Sequence, residues 1–346
     1  MVSDQFESVI GVDTHRDTLS AAILNRQGVV KEIAVRASDE GYQTLLDAAN
    51  VHAGVSRIWA IEGTRSYGLG LTRFLQARAE KVGEIEVPQR VGRKRGKSDR
   101  IDAERAAREA WGKSKLAEPR SDGEREALRI LDQQRQQLVN WRTEATNQIG
   151  NLLLGLPSQL RSRFNLNGSH AWERMLKVAA KLESGADSSF EERVRIEAIV
   201  DFAEKAQAME KEAAVLEQRI QQLVSQMAPQ LLAEPGVGPV TGARILIAWS
   251  HQGRIHSEAA FARLAGVAPL EASSGQFVRH RLNRLGDRTL NSALQTIVLS
   301  RRRYHDETKA YVAKKAEQRK NSREINRCLK RYLARRFYRL LETPPS

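Results

Sequence analysis

The chain has 346 residues, of which 41% are hydrophobic and 28% charged, and its formal net charge at pH 7 is +14. Such a length and composition predict a folded protein of two or three domains rather than a disordered chain. A single cysteine, Cys328, excludes an internal disulfide framework and a thiolate zinc cluster. No apolar run approaches the roughly 20 residues of a membrane span, and no secretory signal is visible, so we expect a cytoplasmic protein.

Residues 1–119 alternate predicted strands and helices. The runs “VIGV” and “LSAAIL” flank the polar turn “DTHRD” and predict two strands, and “RIWAIEG” and “GEIEVP” predict two more. Helical spacing is found in “GYQTLLDAAN” and “SYGLGLTRFLQARAEK”, and Ser98 is a suitable N-cap for the helix “DRIDAERAAREAWGK”. This alternation predicts an α/β domain.

Residues 120–228 are rich in Gln, Arg and Glu and predict an elongated helical arm. Leu216, Ile220 and Leu223 continue an apolar stripe near heptad spacing, which is compatible with a coiled coil or a helical hairpin. Segment 157–188 is expected to connect the two long helices and to carry a short helix of its own. The arm could serve dimerisation, domain spacing or both.

Residues 229–346 form the third predicted region, which is mostly helical. It opens with “AEPGVGPVTGARILIAWS”, in which Pro and Gly enforce a tight turn before a helix. Backbone N–H groups at such a helix start can face a DNA phosphate, as in helix-hairpin-helix contacts. Turns of this composition are also common without any ligand, so both interpretations stay open.

Positive charge is concentrated near the C-terminus. Residues 301–341 hold 15 Lys or Arg against 4 Asp or Glu. A basic surface attracts polyanions over long range, and nucleic acid is the first of these. We therefore expect Arg301, Arg302 and Arg303 to contact nucleic acid, with a solvated basic helix as the alternative.

Four acidic residues stand where a metal site could form. Asp13 and Glu62 end predicted strands, where ligands collect in α/β sheets, and Asp99 and Asp102 share a helical face at i, i+3 spacing. Converging carboxylates repel one another unless divalent cations neutralise them, and ligands made only of oxygen favour Mg²⁺ or Mn²⁺. Each acid taken singly could instead be structural.

Basic residues surround the pair Asp99 and Asp102. A cluster that cuts nucleic acid needs a positive track for the phosphate backbone, and six residues would supply it: Arg90, Arg93, Lys94, Arg95, Lys97 and Arg100.

Three motifs, “IGVDTHRDTLSAAI”, “AIEGTRSYG” and “GKSDRIDAERAA”, resemble the acidic motifs of DEDD transposases of the insertion-sequence one-ten family. “AEPGVGPVTGARILIAWS” followed by “FARLAGVAPLEASSGQFVR” resembles the C-terminal transposase domain of that family, and the arm resembles its coiled-coil segment. The resemblance implies an N-terminal RuvC-like (RNase H fold) domain. It also implies that the four metal-binding acids are Asp13, Glu62, Asp99 and Asp102.

The resemblance further implies a serine that attacks DNA and forms a phosphoserine link. Its position, a serine before glycine downstream of the “AGVAP” turn, is best matched by Ser274, with Ser273 as the rival. An exposed hydroxyl beside Gly275 could be reached by a phosphate. Arg279 and His280, just downstream, are candidate phosphate contacts.

By this resemblance we expect a bacterial, nucleoid-associated recombinase that cuts and rejoins the DNA of its own insertion element. Its partners would be donor and target DNA and a structured non-coding guide RNA, so that base pairing reads the sequence. Strand exchange requires several active sites, which predicts a homo-oligomer, a dimer or a tetramer. Two alternatives stay open: a RuvC-like junction endonuclease that uses no serine, and a non-catalytic coiled-coil protein that binds nucleic acid.

Overall fold

The computed structural model of the protein describes residues 1–85, 99–164, 168, 171–183, 189–271, 280–281 and 286–343. The chain divides into two compact units, Met1–Ser121 and Asp122–Ser346. No helix in these described ranges is long and apolar enough to cross a membrane.

A five-stranded mixed sheet forms the centre of the first unit. Its strands are β1 (Ser8–Thr14), β2 (Thr18–Asn25), β3 (Gly28–Arg36), β4 (Arg57–Glu62) and β5 (Val82–Ile85), in the order β3-β2-β1-β4-β5. The first three strands are antiparallel neighbours, whereas β4 runs parallel to β1 and β5 parallel to β4. The helices are α1 (Val2–Gln5), α2 (Asp39–His52), α3 (Leu69–Gln76) and α4 (Asp99–Trp111). The first unit is therefore an α/β domain, as the sequence predicted.

Helices cover both faces of this sheet, and the alternation of side chains along β1 assigns each residue to one face. Ile10 and Val12 share a buried cluster with α2 and α3. Val9 shares the other cluster with the alanines of α4. Residues at odd positions of β1 therefore face α4.

Strand β3 was not predicted from the sequence. Two charged residues, Lys31 and Glu32, interrupt its apolar run, and its residues are half-buried or exposed because it lies at the sheet edge. Gly28, with φ near 124°, makes the tight reversal from β2 that pairs the two strands. The polar turn “NRQG” followed by the Val- and Ile-rich run “VVKEIAV” was the signal that could have identified it.

Where the structure describes it, the second unit is helical apart from one short strand pair. Two long helices, α5 (Glu124–Leu154) and α8 (Phe190–Met227), run antiparallel, with α6 (Ser158–Arg161) and α7 (Ala171–Glu183) between them in sequence. The remaining elements are α9 (Pro229–Leu232), α10 (Pro239–Trp249), α11 (Glu258–Leu264), β6 (Leu270–Glu271), β7 (His280–Arg281), α12 (Arg288–Tyr304), α13 (Asp306–Glu317) and α14 (Ser322–Glu342).

Ion pairs along the two long helices show their antiparallel direction. Arg135 pairs with Glu217 at 2.7 Å and Arg142 with Glu210 at 3.3 Å. Residue numbers therefore rise along α5 as they fall along the facing part of α8. This is a helical hairpin, which was one of the two predicted arrangements. The coiled coil stays a prediction.

Two hydrophobic cores lie along this hairpin. At the end formed by the C-terminus of α5 and the N-terminus of α8, Ile149 and Leu153 of α5 pack with Met175 of α7 and Ile199 of α8. At the other end, residues such as Leu128 and Ile220 belong to the same core as α10, α11, α12 and α14. The hairpin and the C-terminal helices thus share buried surface, and the predicted division at residue 228 stays a prediction.

Candidate active site

Asp13 and Glu62 lie side by side at the ends of two neighbouring parallel strands. Val12 of β1 is in register with Ile61 of β4, so the next residues along the two strands are adjacent. The Thr14 hydroxyl donates a hydrogen bond to the Glu62 backbone oxygen at 2.9 Å, which ties the strand ends together. By the alternation along each strand, both carboxylates belong to the face that α4 covers.

Gly11 allows α4 to approach β1 closely. A Cβ built at this position would overlap the Ala103 carbonyl oxygen and the Ala107 nitrogen. Ala106 and Ala110 join Ala103 and Ala107 on the buried face of the helix. Because these side chains are small, the backbone of α4 packs closely against the backbone of β1 at Gly11.

The direction of α4 brings its first turn to the strand ends. The Val2 amide, ahead of β1, donates to the Lys113 carbonyl just beyond the end of α4, at 2.7 Å. The helix therefore runs opposite to β1 and begins at the end of the strand where Asp13 lies. Asp102 is one helical turn before Ala106, on the side of the helix that faces the sheet.

Two of the carboxylates that the structure describes have a basic neighbour. Asp13, only 9% exposed, lies 3.3 Å from His15 Nε2. Asp102 accepts from Arg105 Nη1 at 2.9 Å. Across the sheet, the buried Ser20 of β2 is in register with Asp13.

The predicted ligands offer carboxylate oxygens, which suit a hard divalent cation such as Mg²⁺ or Mn²⁺. Among the residues described, no three His, Cys, Asp or Glu side chains lie close enough together to hold a metal ion. Asp99 is the first residue of α4, but its side chain is not among those that the structure describes. The fourth predicted ligand therefore has a backbone position only.

Several residues of this site were missed by sequence reasoning. Ser20, Thr14 and Arg105 were not singled out, because register and helix direction bring them to the acids. Thr64 lies two residues beyond Glu62, is fully buried, and its hydroxyl has no hydrogen-bond partner within the described ranges. Its place inside the motif “AIEGTRSYG” was the available signal.

Many of the other predicted site residues lie outside the described residues: Ser273, Ser274, Arg279, Arg90, Arg93, Lys94, Arg95 and Lys97. For Arg100 and His280 only the backbone is described, in α4 and β7 respectively.

The three predicted arginines of α12 occupy different environments. Arg301 is buried, and its guanidinium is hydrogen-bonded to Glu234 and to the Pro235 carbonyl oxygen. Its charge is thus neutralised inside the protein, which differs from the surface position that the prediction requires. Arg302 donates to Ser322 and Asn326, and Arg303 is exposed.

Glu234 holds the Pro-Gly turn before α10. Burial would raise its pKa, but hydrogen bonds from Arg336 and Arg301 outweigh that effect and hold the pKa below its ordinary value. Gly236, with φ near 77°, adopts the left-handed conformation that the turn requires. The Gly238 amide is bonded to the Thr241 hydroxyl at 2.9 Å, so this donor of the turn already has a partner within the chain.

A sheet whose strand ends carry paired acids, together with a basic helical unit, is typical of enzymes that process nucleic acid. A model of the DEDD transposase domain of the IS110 family matches residues 10–156, which include Asp13, Glu62 and all of α4. A second model, described as “Transposase IS116/IS110/IS902 family”, matches residues 228–313. The protein is a DNA transposase.

It belongs to the IS110 family of insertion-sequence transposases. Transposases bind DNA, and DEDD domains of this kind generally depend on a divalent metal. A comparison with curated proteins gave no match.

Proposed function

We propose that the protein cuts and rejoins the DNA of its insertion element with a metal centre formed by Asp13, Glu62, Asp99 and Asp102 and with Ser274 as nucleophile. One observation supports the metal centre most directly. The two strand-end acids are adjacent in register, and the helix that carries the other two begins at the same end of the sheet.

The topology supports a RuvC-like (RNase H) fold for the first unit. Three antiparallel strands are followed by two parallel ones, and helices cover both faces. In this arrangement the central strand β1 and its parallel neighbour β4 present their ends to one side, where a phosphodiester could be bound.

The carboxylates would hold divalent cations, Mg²⁺ or Mn²⁺, which activate an attacking oxygen and stabilise the leaving oxygen of a phosphodiester. Arg105 has a separate task. Its ion pair with Asp102 offsets the repulsion between carboxylates before DNA and metal are bound. The buried setting of Asp13 limits its motion and orients its oxygens.

In the proposed covalent step, the Ser274 oxygen forms a bond to a DNA phosphorus as the bond to a DNA oxygen breaks. The serine proton is lost to a base, and the departing DNA oxygen gains one, so the link is a phosphate diester of serine. Support for this step comes from the family motif, with Ser273 as the alternative residue.

Guide RNA and oligomerisation complete the proposal. The excess of Lys and Arg in residues 301–341 supports polyanion binding, and the resemblance supports a structured RNA as one of the polyanions. A dimer or tetramer would supply the several active sites that strand exchange requires. An arm over residues 120–228 and a transposase domain over residues 229–346 are part of the same proposal.

The decisive experiment is a denaturing-gel assay for a covalent protein–DNA adduct. Protein is mixed with Mg²⁺, RNA transcribed from the flanks of the element, and labelled donor-end DNA. We expect an adduct with wild type that is lost with Ser274→Ala and with Asp102→Asn. Asp17→Asn is the matched control, because this acid lies in the turn after β1 with its side chain 86% exposed.

Other outcomes would change the assignment. Loss of the adduct with Ser273→Ala alone would move the nucleophile by one residue. Cut DNA without an adduct, surviving Ser274→Ala but not Asp102→Asn, would indicate metal-dependent hydrolysis. Thermal unfolding with Mg²⁺ or Mn²⁺ measures binding separately: wild type should be stabilised by the cation and Asp13→Asn should not.

A further inference from the structure

The C-terminal helices form a pocket that the proposed chemistry does not use. It lies between α12, α13 and α14 and has a volume of about 240 Å³. Its floor is apolar and comes from Val298, Leu329 and Leu333, all of them buried. Sites for drug-sized ligands measure roughly 300–1,000 Å³, so this pocket suits a smaller ligand, the size of one planar ring system.

Aromatic side chains line the pocket together with a few polar groups. Tyr311 comes from α13 and Tyr332 from α14, and Tyr332 is 56% exposed although it lines the cavity. At one edge, His305 Nδ1 and the Thr308 hydroxyl are 2.9 Å apart, and Glu307 adds a carboxylate that can accept hydrogen bonds. Aromatic faces for stacking and polar groups at the edge are what a nucleobase requires.

The same three helices carry cations that no carboxylate neutralises. Arg303 on α12, Lys314 on α13 and Arg331 on α14 are exposed, and no ion pair is recorded for them within the described residues. Lys315 lies 5.5 Å from the centre of the Tyr311 ring. The exposed surface of the three helices that form the pocket is therefore basic, which favours a phosphate backbone nearby.

We propose that this pocket binds one unpaired base of a DNA strand, stacked against Tyr332 and Tyr311. The occupant is a DNA base because DNA binding follows from the family, and the pocket combines base-sized volume, aromatic faces and nearby cations. The proposal depends on DNA binding alone. It requires neither the metal centre nor the serine, so the two sets of experiments fail independently.

The test is a fluorescence titration with a single-stranded DNA oligonucleotide that contains 2-aminopurine, whose emission falls when the base stacks. Full-length wild type is compared with Tyr332→Ala, Tyr332→Phe and Tyr304→Ala in the absence of Mg²⁺. Tyr304 is the matched control, because it is 53% exposed on α12 but does not line the pocket.

Stacking on one aromatic side chain is worth roughly 1–3 kcal/mol per base, so Tyr332→Ala should weaken binding about 5- to 140-fold and remove the quenching. Tyr332→Phe keeps the ring and should bind within about twofold of wild type. Equal affinity for wild type and Tyr332→Ala, or the same loss with Tyr304→Ala, would overturn the proposal.

A second variant tests recognition at the edge of the base. Glu307→Gln replaces an acceptor-only carboxylate, so the preference for bases with amino donors over thymine should shrink. If Glu307→Gln left the ratio of affinities for amino-bearing bases and for thymine unchanged, Glu307 would not contact the base. Parallel titrations with RNA of the same sequence separate the sources: an effect of Tyr332→Ala confined to RNA would reject DNA as the occupant.

Discussion

Both units of this transposase pair arginines with carboxylates, as Arg57 with Glu80 in the first, but the first also sets two strand-end acids side by side. In the first unit, acids are brought to one end of a sheet, where close packing of backbone places α4 over β1. In the second unit, carboxylates pair with arginines at different depths: Glu234 pairs with the buried Arg301 and with Arg336, and Glu258 pairs with the more exposed Arg335 and Arg339. Charge counted along a sequence therefore says little about charge that is available at a surface.

The strongest test of this contrast is Glu234→Gln. The substitution leaves Arg301 buried without its counter-ion, and breaking a buried pair costs about 3–5 kcal/mol. Urea denaturation measures the free energy of unfolding. Glu258→Gln is the matched control, since Glu258 also binds two arginines but its side chain is 27% exposed and its partners more so. We expect a much smaller change there, and equal losses would show that burial does not set the cost.

Gly11→Ala tests the packing that positions the acids. The added methyl group would collide with the backbone of α4, which must shift away from β1. A displacement of about 1 Å can lower the rate of a positioned reaction 100-fold, and overpacking costs typically 1–3 kcal/mol. DNA cleavage in the adduct assay should therefore fall about 100-fold while the protein stays folded by circular dichroism. Full activity in the variant would show that the position of α4 does not matter.

These two positions also show what the sequence could predict. The four strands that carry or neighbour the acids, and the helix from Asp99 onward, follow from local periodicity and a turn between apolar runs. The close approach at Gly11 does not, because it depends on which helix returns to β1 about 90 residues later. The register that sets Ser20 beside Asp13 is likewise a property of strand pairing.

Arg301 shows the same limit in the second unit. Its neighbours in sequence are basic, which predicts a surface for polyanions, but its partner Glu234 is 67 residues away. Only the packing of α12 beside the Pro-Gly turn reveals that this arginine is buried and paired. The serine of the proposed covalent step belongs to a different category, since a family motif rather than any local physical signal points to it.

The pH dependence of stability sharpens the comparison within the second unit. The pKa of Glu234 is lower in the folded protein than its ordinary value, because its arginine hydrogen bonds outweigh burial. Its contribution is therefore complete above the ordinary carboxyl pKa and is lost as the pH falls toward the lower, folded value. The difference in unfolding free energy between wild type and Glu234→Gln should narrow below about pH 4.5. A difference that stays constant to pH 3 would contradict this account.

The smallest expected effect is a gain in stability from Gly150→Ala, in contrast to the damage expected from Gly11→Ala. Gly150 lies inside α5, and a Cβ built there would meet no atom within 4 Å. Since alanine is favoured over glycine in a helix by roughly 1 kcal/mol, Gly150→Ala should raise the free energy of unfolding by about that amount. DNA cleavage should not change, because the position is remote in sequence from every proposed site residue and adds no charge. The same substitution, Gly to Ala, is thus expected to damage one unit and stabilise the other. A loss of stability at Gly150 would mean that this face of the arm is covered by another surface in solution, for instance in the proposed oligomer.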